Sequence, residues 1–270
     1  MVTAVLDPAA RSRLATATRF ADLRFLHSVD STNDYVAREA RIGAPEGLVV
    51  VADHQEAGRG RRGRRWSAPR GSSLLVSVLL RPALPASHLH LVGVVVSLSV
   101  ADACRSVAGV DVRLKWPNDL VAHGRKLGGV LVETELAGEQ ARAAVAGIGL
   151  NVSWPEGLPP GLAEEAITLG QLTDGIVRRP ALLVALLESL EARYASLESR
   201  SGQAAQLDDY RRRCDTLGRA VRVELAGEGQ PAASFTGIAR DLDPGGHLVV
   251  EVGGQARVVA AADVVHLRRM

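Results

Sequence analysis

Apolar positions along the chain recur with the period of a strand in some stretches and of a helix in others. Leu23, Phe25 and His27 alternate with polar neighbours, as in a half-buried strand. Leu48–Asp53 is continuously apolar, and Ser73–Arg81 alternates, so both are expected to be strands. Leu89–Val107 has the length of an apolar helix packed across a sheet. Val112–Lys115 is a short strand leading into Trp116–Leu120, where Pro117 pre-sets a turn suited to Asn118 and Asp119. The chain turns again over Gly124–Lys126 into Leu127–Glu135, a strand interrupted by Gly128 and Gly129, and Ala143–Val152 is a further strand. Helices are expected over residues 8–20, from the capping cluster Asp30-Ser31-Thr32-Asn33 into Tyr35–Ala40, over Arg179–Leu197 and over Gln203–Arg213.

From Leu217 the texture changes to five short strands: Ala220–Leu225, Ser234–Ala239, His247–Val252, Arg257–Ala260 and Val264–Leu267. Turn residues at Gly227–Gly229, Pro244–Gly246 and Gly253-Gly254 separate them, as in a small antiparallel barrel. The expectation is an α+β mixed-sheet domain over residues 1–216 followed by a barrel over 217–270. There is no internal repeat.

Composition narrows the setting. The chain is 47% hydrophobic but only 3% aromatic, so its core must be aliphatic. Cys104 and Cys214 lie far apart without metal-ligand spacing, which fits a reducing compartment. The first residues hold no apolar run of signal-peptide length. The most apolar stretch, Leu91–Ala101, is about half of what a bilayer needs and meets Asp102, so a cytoplasmic protein away from membranes is expected.

Charge is concentrated in one place. Gly58–Trp66 reads GRGRRGRRW, and without its five arginines the net charge would fall from +2 to −3. Glycines allow close backbone approach, and arginines offer planar forks for phosphate and carboxylate. Repulsion of about 1 kcal/mol per close pair, even in water, argues against a loop compact by itself. We expect it to be mobile when empty and to close over an anion. Such a run can also be a solvated linker or a nucleic-acid contact. Its position between two core strands disfavours the linker. Balanced charge elsewhere and the lack of interleaved aromatics disfavour nucleic acid.

Only two of the 32 basic residues are lysines, Lys115 and Lys126, which suggests sites where a compact ammonium is needed. Gly147 and Gly149 at alternate positions leave one sheet face bare for a flat ligand. The chain has no GK[ST], HExxH, Cys/His ligand set or GxSxG, so covalent catalysis by serine or cysteine is poorly supported. Phosphate and a carboxylic acid remain as the natural ligands of these cations, and an enzyme bringing a carboxylate to a nucleoside triphosphate would need such a cluster for placement and charge neutralisation.

GRGRRGRRW, KWPNDL (Lys115–Leu120), KLGGVLVE (Lys126–Glu133) and GIGLNV (Gly147–Val152), preceded by DSTN (Asp30–Asn33), together resemble the biotin protein ligases. The resemblance implies a class II synthetase-like catalytic domain with an SH3-like C-terminal barrel. It also implies a two-step reaction: biotin and MgATP give biotinyl-5′-adenylate, which a lysine of a biotin carboxyl carrier domain then attacks. Carried over by motif, Ser31, Thr32, Asn33 and Gln55 would meet the biotin ring. Arg59, Gly60 and Arg61 would close over biotin and the adenylate phosphate. Lys126 would contact the biotin carboxylate, and Gly128, Gly147 and Gly149 would line the pocket. Trp66 would offer a face to adenine. Asn118 and Asn151 would hold the nucleotide and its metal-bound phosphates, with Arg64 and Ile148 beside them. Lys115 and Asp119 would act on charge and on the acceptor lysine. Magnesium would arrive with ATP, since no motif here binds metal directly.

About 27 residues precede the first motif, too few for a helix-turn-helix domain and linker, so a ligase without a DNA-binding role is expected. A monomer or weak homodimer is the expected state. A lipoate or octanoate transferase on a related scaffold is the alternative function.

Overall fold

The computed structural model describes residues 6–138, 140–225, 233–260 and 262–267. The expected Gly227–Gly229 turn lies outside them. Alternation of side chains along the central strands explains the layering, because both sheet faces are covered. β1 (Leu23–Leu26) runs parallel to β2 (Val49–Ala52), and every other pair in the large sheet is antiparallel. The remaining strands are β3 (Ser73–Leu80), β4 (Arg113–Lys115), β5 (Asp119–Ala122), β6 (Arg125–Ala137) and β7 (Gln140–Asn151). The sheet order is β1-β2-β3-β7-β6-β5-β4.

On one face, Val49, Val51, Leu74, Val76, Val78, Ala146, Ile148 and Leu150 join the main core. There the sheet packs against α3 (His90–Ala108) and α5 (Arg179–Ser196). On the other face, Leu48, Val50, Leu79 and Val145 pack with Val36 and Ala40 of α2 (Thr32–Arg41). All eight residues of β3 are therefore buried, as both faces of this central strand are covered. α1 (Pro8–Ala17) packs on α5, with Leu14 fully buried, and the single turn α4 (Pro160–Ala163) lies between β7 and α5 in the chain.

Two expectations need correction. Asp119–Ala122, grouped with a turn and its exit, is strand β5, paired with both β4 and β6. The second concerns length: Leu91–Ala101, about half of what a bilayer needs, is only part of the apolar helix expected over Leu89–Val107 and found as α3. With its preceding turn it spans Ala86–Ala108, long and apolar enough to cross a membrane, yet it is 67% buried within the protein. Asp102 sits inside it because Arg193 and Arg213 bind its carboxylate at 2.7 Å each. Burial between sheet and helices marks α3 as a core helix.

α6 (Arg200–Arg213) leads into the C-terminal strands β8 (Ala220–Leu225), β9 (Ser234–Leu242), β10 (Leu248–Val252), β11 (Gln255–Val259) and β12 (Ala262–His266). They form one antiparallel sheet in the order β11-β10-β9-β8-β12, the strand set of an SH3-like domain. Trp116 Nε1 donates to Gly246 O at 3.1 Å, and the apolar core runs without a break from the large sheet into this one.

Candidate active site

The site lies on the α2 face of the large sheet, under the arginine-rich loop. Its cavity encloses about 720 Å³ including the open mouth. One end is built by the start of α2. Ser31 caps the helix, its hydroxyl accepting from Asp34 N at 3.4 Å. Gln55 Oε1 accepts from both Thr32 N (2.8 Å) and Thr32 Oγ1 (2.9 Å). Ser77 Oγ lies 2.7 Å from Thr32 Oγ1 and donates to Asn33 Oδ1 at 2.6 Å. Asn33 Nδ2 donates to Glu133 Oε2 at 2.9 Å and points at Leu131 O at 3.4 Å. Ser31, Thr32 and Asn33 are all buried, so this cluster is a fixed array of hydrogen-bonding groups.

The loop forms the roof. Gly60 N donates to Arg64 O at 2.7 Å and Trp66 N to Gly58 O at 2.9 Å, closing a hairpin across the arginines. The loop is thus compact, contrary to what repulsion among its own charges suggests. Carboxylates from outside it provide the compensation: Arg59 pairs with Asp34 and, at 2.6 Å, with Glu133. Asp34 is the main cause of the rise in the Arg59 pKa above its ordinary value. Arg62, in the left-handed region (φ 55°), donates to Glu224 O and Leu225 O of β8 and so ties the roof to the C-terminal sheet. Arg61 lies within 3.5 Å of Asn118 Oδ1, and Arg64 Nε donates to Arg61 O at 3.3 Å.

At the other end Lys126 Nζ donates to Asp119 Oδ1 at 2.6 Å and stands 5.9 Å from the Trp66 ring centroid. The glycine-bared face is not empty sheet. A Cβ on Gly147 would lie 2.1 Å from Asn33 Oδ1, and one on Gly149 would lie 2.7 Å from Trp66 Cε2. These glycines admit an amide and an indole, and a ligand would meet those groups.

The structure brings most of the expected residues to one cavity. Ser31, Thr32, Asn33 and Gln55 line it, as do Arg59, Gly60, Arg61, Arg64 and Trp66 of the loop. Asn118, Lys126, Gly147, Ile148 and Gly149 complete the wall. Four expected residues are not on it. Gly128 has the parity of Val130, and a Cβ there would meet Gly149 O at 2.7 Å and Leu120 Cδ1 at 3.2 Å on the core side. Its neighbour Gly129 is the one in the cavity wall. Asn151 is buried at the end of β7, donating to Ile167 O at 3.3 Å and accepting from Ser73 Oγ at 3.5 Å. Lys115 sits on β4 in register with Asp119 of β5, and Asp119 reaches the site through Lys126.

Sequence reasoning missed Asp34, Ser77, Gly129 and Glu133. Ser77 carried a signal, a lone hydroxyl inside the apolar run Leu74–Leu80. Glu133 closes the KLGGVLVE segment and Asp34 follows the capping cluster directly. Among the described residues, no group of three His, Cys, Asp or Glu side chains is placed to hold a metal ion.

Residues 25–151 match the family model described as the biotin/lipoate A/B protein ligase family, and residues 216–267 match the biotin protein ligase C terminal domain. The chain is 40% identical over 244 residues to a biotin--[acetyl-CoA-carboxylase] ligase of Mycobacterium tuberculosis, covering 88% of this chain and 86% of that protein. It is 32% identical to the corresponding ligase of Paracoccus denitrificans, covering 88% and 98%. Its fold matches the biotin protein ligase from Aquifex aeolicus in complex with biotin and ATP with a TM-score of 0.76 at 26% identity, over 93% of this chain and all of that one.

Proposed function

Because this chain belongs to the biotin protein ligase family, we propose the following division of labour for the ligation of biotin to a carboxylase. In the first half-reaction the biotin carboxylate attacks the α-phosphorus of ATP. An acyl–phosphate bond forms, the bond to the β-phosphate breaks, and pyrophosphate leaves with biotinyl-5′-adenylate retained. In the second, a neutral lysine amine of the biotin carboxyl carrier domain attacks the acyl carbon. The carbon–nitrogen bond forms, AMP leaves and the amine loses a proton.

The observation that carries this reading is the pairing, in one cavity, of a neutral hydrogen-bonding end with a cationic end. Thr32, Asn33 and Gln55 suit a ureido ring, which has two N–H donors and one carbonyl. Lys126, Arg59 and Arg61 suit a carboxylate meeting a phosphate, two anions whose approach must be offset. Lys126 offers a single ammonium for the oxygen that passes from biotin to phosphorus. Trp66 presents an aromatic face for adenine, with Arg64 and the backbone at Ile148 beside it. Asn118 orients the phosphates, while Asn151 supports that wall through Ile167 and Ser73. Asp119 holds Lys126, and its second oxygen is a candidate acceptor for the proton of the incoming lysine. Lys115, across the β4–β5 pair, adds positive potential behind it.

Magnesium carried in by ATP would offset phosphate charge. Such ions are held largely by phosphate and water, with one or two protein oxygens. Asn118 and Asp119 are the oxygen donors near the cationic end. We assign residues 1–216 to the catalytic domain and 217–270 to the SH3-like domain. The working unit is a single chain, monomeric or weakly dimeric, acting in the cytoplasm without DNA.

Purified protein given biotin, MgATP and an isolated carrier domain should attach biotin to one carrier lysine, read by intact mass. No transfer to a carrier that a known ligase modifies would reject the assignment. A lipoyl or octanoyl chain has no N–H for the Thr32–Asn33 end. Excess lipoate should therefore leave biotin adenylation unchanged.

A further inference from the structure

Glu133 is where the two ends of the site meet. Its Oε2 accepts from Asn33 Nδ2 at 2.9 Å, and its Oε1 accepts from Arg59 at 2.6 Å. The other terminal nitrogen of Arg59 is bound by Asp34. The consequence for Asn33 follows from its donor and acceptor inventory. A carboxamide has two N–H donors and a carbonyl oxygen with two lone pairs. Here Nδ2 is directed at Glu133 and Leu131 O, and Oδ1 already accepts from Ser77. One lone pair on Oδ1 is what the side chain has left to offer. An ionised carboxylate can only accept, so Glu133 dictates which end of the amide faces it.

We propose that Glu133 is a positioning and specificity-determining residue. Through Oε2 it sets Asn33 as an acceptor for a ligand N–H, and through Oε1, with Asp34, it clasps Arg59 so that the arginine loop stays folded over the same ligand. This rests on the ligase reading, which supplies the ureido N–H. The clasp itself is a property of the protein without ligand.

The test compares the wild type with Glu133→Gln, Glu133→Ala and Asp34→Asn, all below their melting temperatures. Glutamine can still accept from Asn33 but no longer holds Arg59 by charge. Biotin affinity, by calorimetry, should stay within about threefold of wild type in E133Q and D34N but weaken about tenfold or more in E133A, as loss of a hydrogen bond from a buried amide demands. Release of biotinyl-adenylate, measured by dilution chase, should be about tenfold faster in all three. Trypsin should cut within Gly58–Trp66 faster in all three variants without any ligand. Biotin affinity lost equally in E133Q and E133A would overturn the role assigned to Asn33 orientation. Unchanged tryptic and release rates would overturn the clasp. A wild-type protein that makes no adenylate, yet shows the tryptic pattern, would overturn the ligase reading and the specificity role while upholding the clasp.

Discussion

Trp66 occupies the space that a side chain on Gly149 would fill: a Cβ there would stand 2.7 Å from Cε2 of the indole. Two strand positions away, Gly147 is in the same relation to the Asn33 amide, at 2.1 Å. One strand face thus seats the nucleotide end and the biotin end of the proposed site side by side. Gly149→Ala should displace Trp66 and raise the KM for ATP about tenfold or more, with little change for biotin. Gly147→Ala should do the reverse. Overpacking of this kind costs about 1–3 kcal/mol, so both variants should still fold. Steady-state kinetics with each substrate varied in turn checks the split.

Lys126 is the compact cation of the cavity, held by Asp119 at 2.6 Å. Lys126→Ala should lower the rate of adenylate formation about 10²–10³-fold, the size expected for removing a group that stabilises transition-state charge. Lys126→Arg should not restore it, because a planar fork cannot replace a point charge at one oxygen. Single-turnover assays of pyrophosphate release measure this directly.

Asp102, inside the core helix α3, accepts from Arg193, Arg213 and Ser189. Burial raises its pKa and the two arginines lower it, with a net fall below the ordinary carboxylate value. Its stabilising contribution is therefore present above the unfolded pKa and lost as pH falls through the folded one. Asp102→Ala should cost about 1–3 kcal/mol, because the partly buried Arg193 and Arg213 would then share Asp209 as their one remaining carboxylate, and it should flatten the acid limb of stability below about pH 4. Urea unfolding at several pH values tests both.

His266 of β12 is pushed down to about 4, first by burial and then by Lys115 and Arg219, against the opposing charge of Asp215. The unfolded chain binds that proton nearer pH 6.5, so it holds more protons between the two values. Stability should be full above about pH 6.5 and decline by about 3 kcal/mol toward pH 4. His266→Gln should remove this part of the slope. Thermal denaturation across that range decides it.

Cys104 is fully buried, and burial pushes its thiol up to about 12. Cys214 is buried as well, with its pKa also raised by burial. Neither should react with a thiol-disulfide reagent in the native protein at neutral pH, and both should react on unfolding. Thiol titration in buffer and in denaturant checks this.

Much of the fold was legible because local signals agree with it. The aliphatic runs became β2, β3, β6 and β7, and Ser31 caps α2 as its residue type predicts. β5 was not legible. Asp119–Ala122 is too short to show a period and is defined by its pairing with β4 and β6. α3 was legible nearly to its ends, Leu89–Val107 against His90–Ala108, but the arginines that bind Asp102 inside it, 91 and 111 residues away, were not.

For the site, the amino-acid sequence by itself determined the chemistry on offer: one arginine-rich glycine loop, two lysines in an arginine-dominated chain, and ordered motifs shared with the biotin ligases. Those are properties of residue type and order, which folding does not alter. Only the tertiary structure decided which glycine of a pair faces the cavity, since one residue of strand parity sends Gly128 to the core and Gly129 to the site. It also decided that Asn33 and Trp66 cover the bared strand face, and that Asp34 and Glu133 offset the loop's charge. Contacts between residues 25, 74 and 100 positions apart have no local signature, because they exist only once the sheet has set its register.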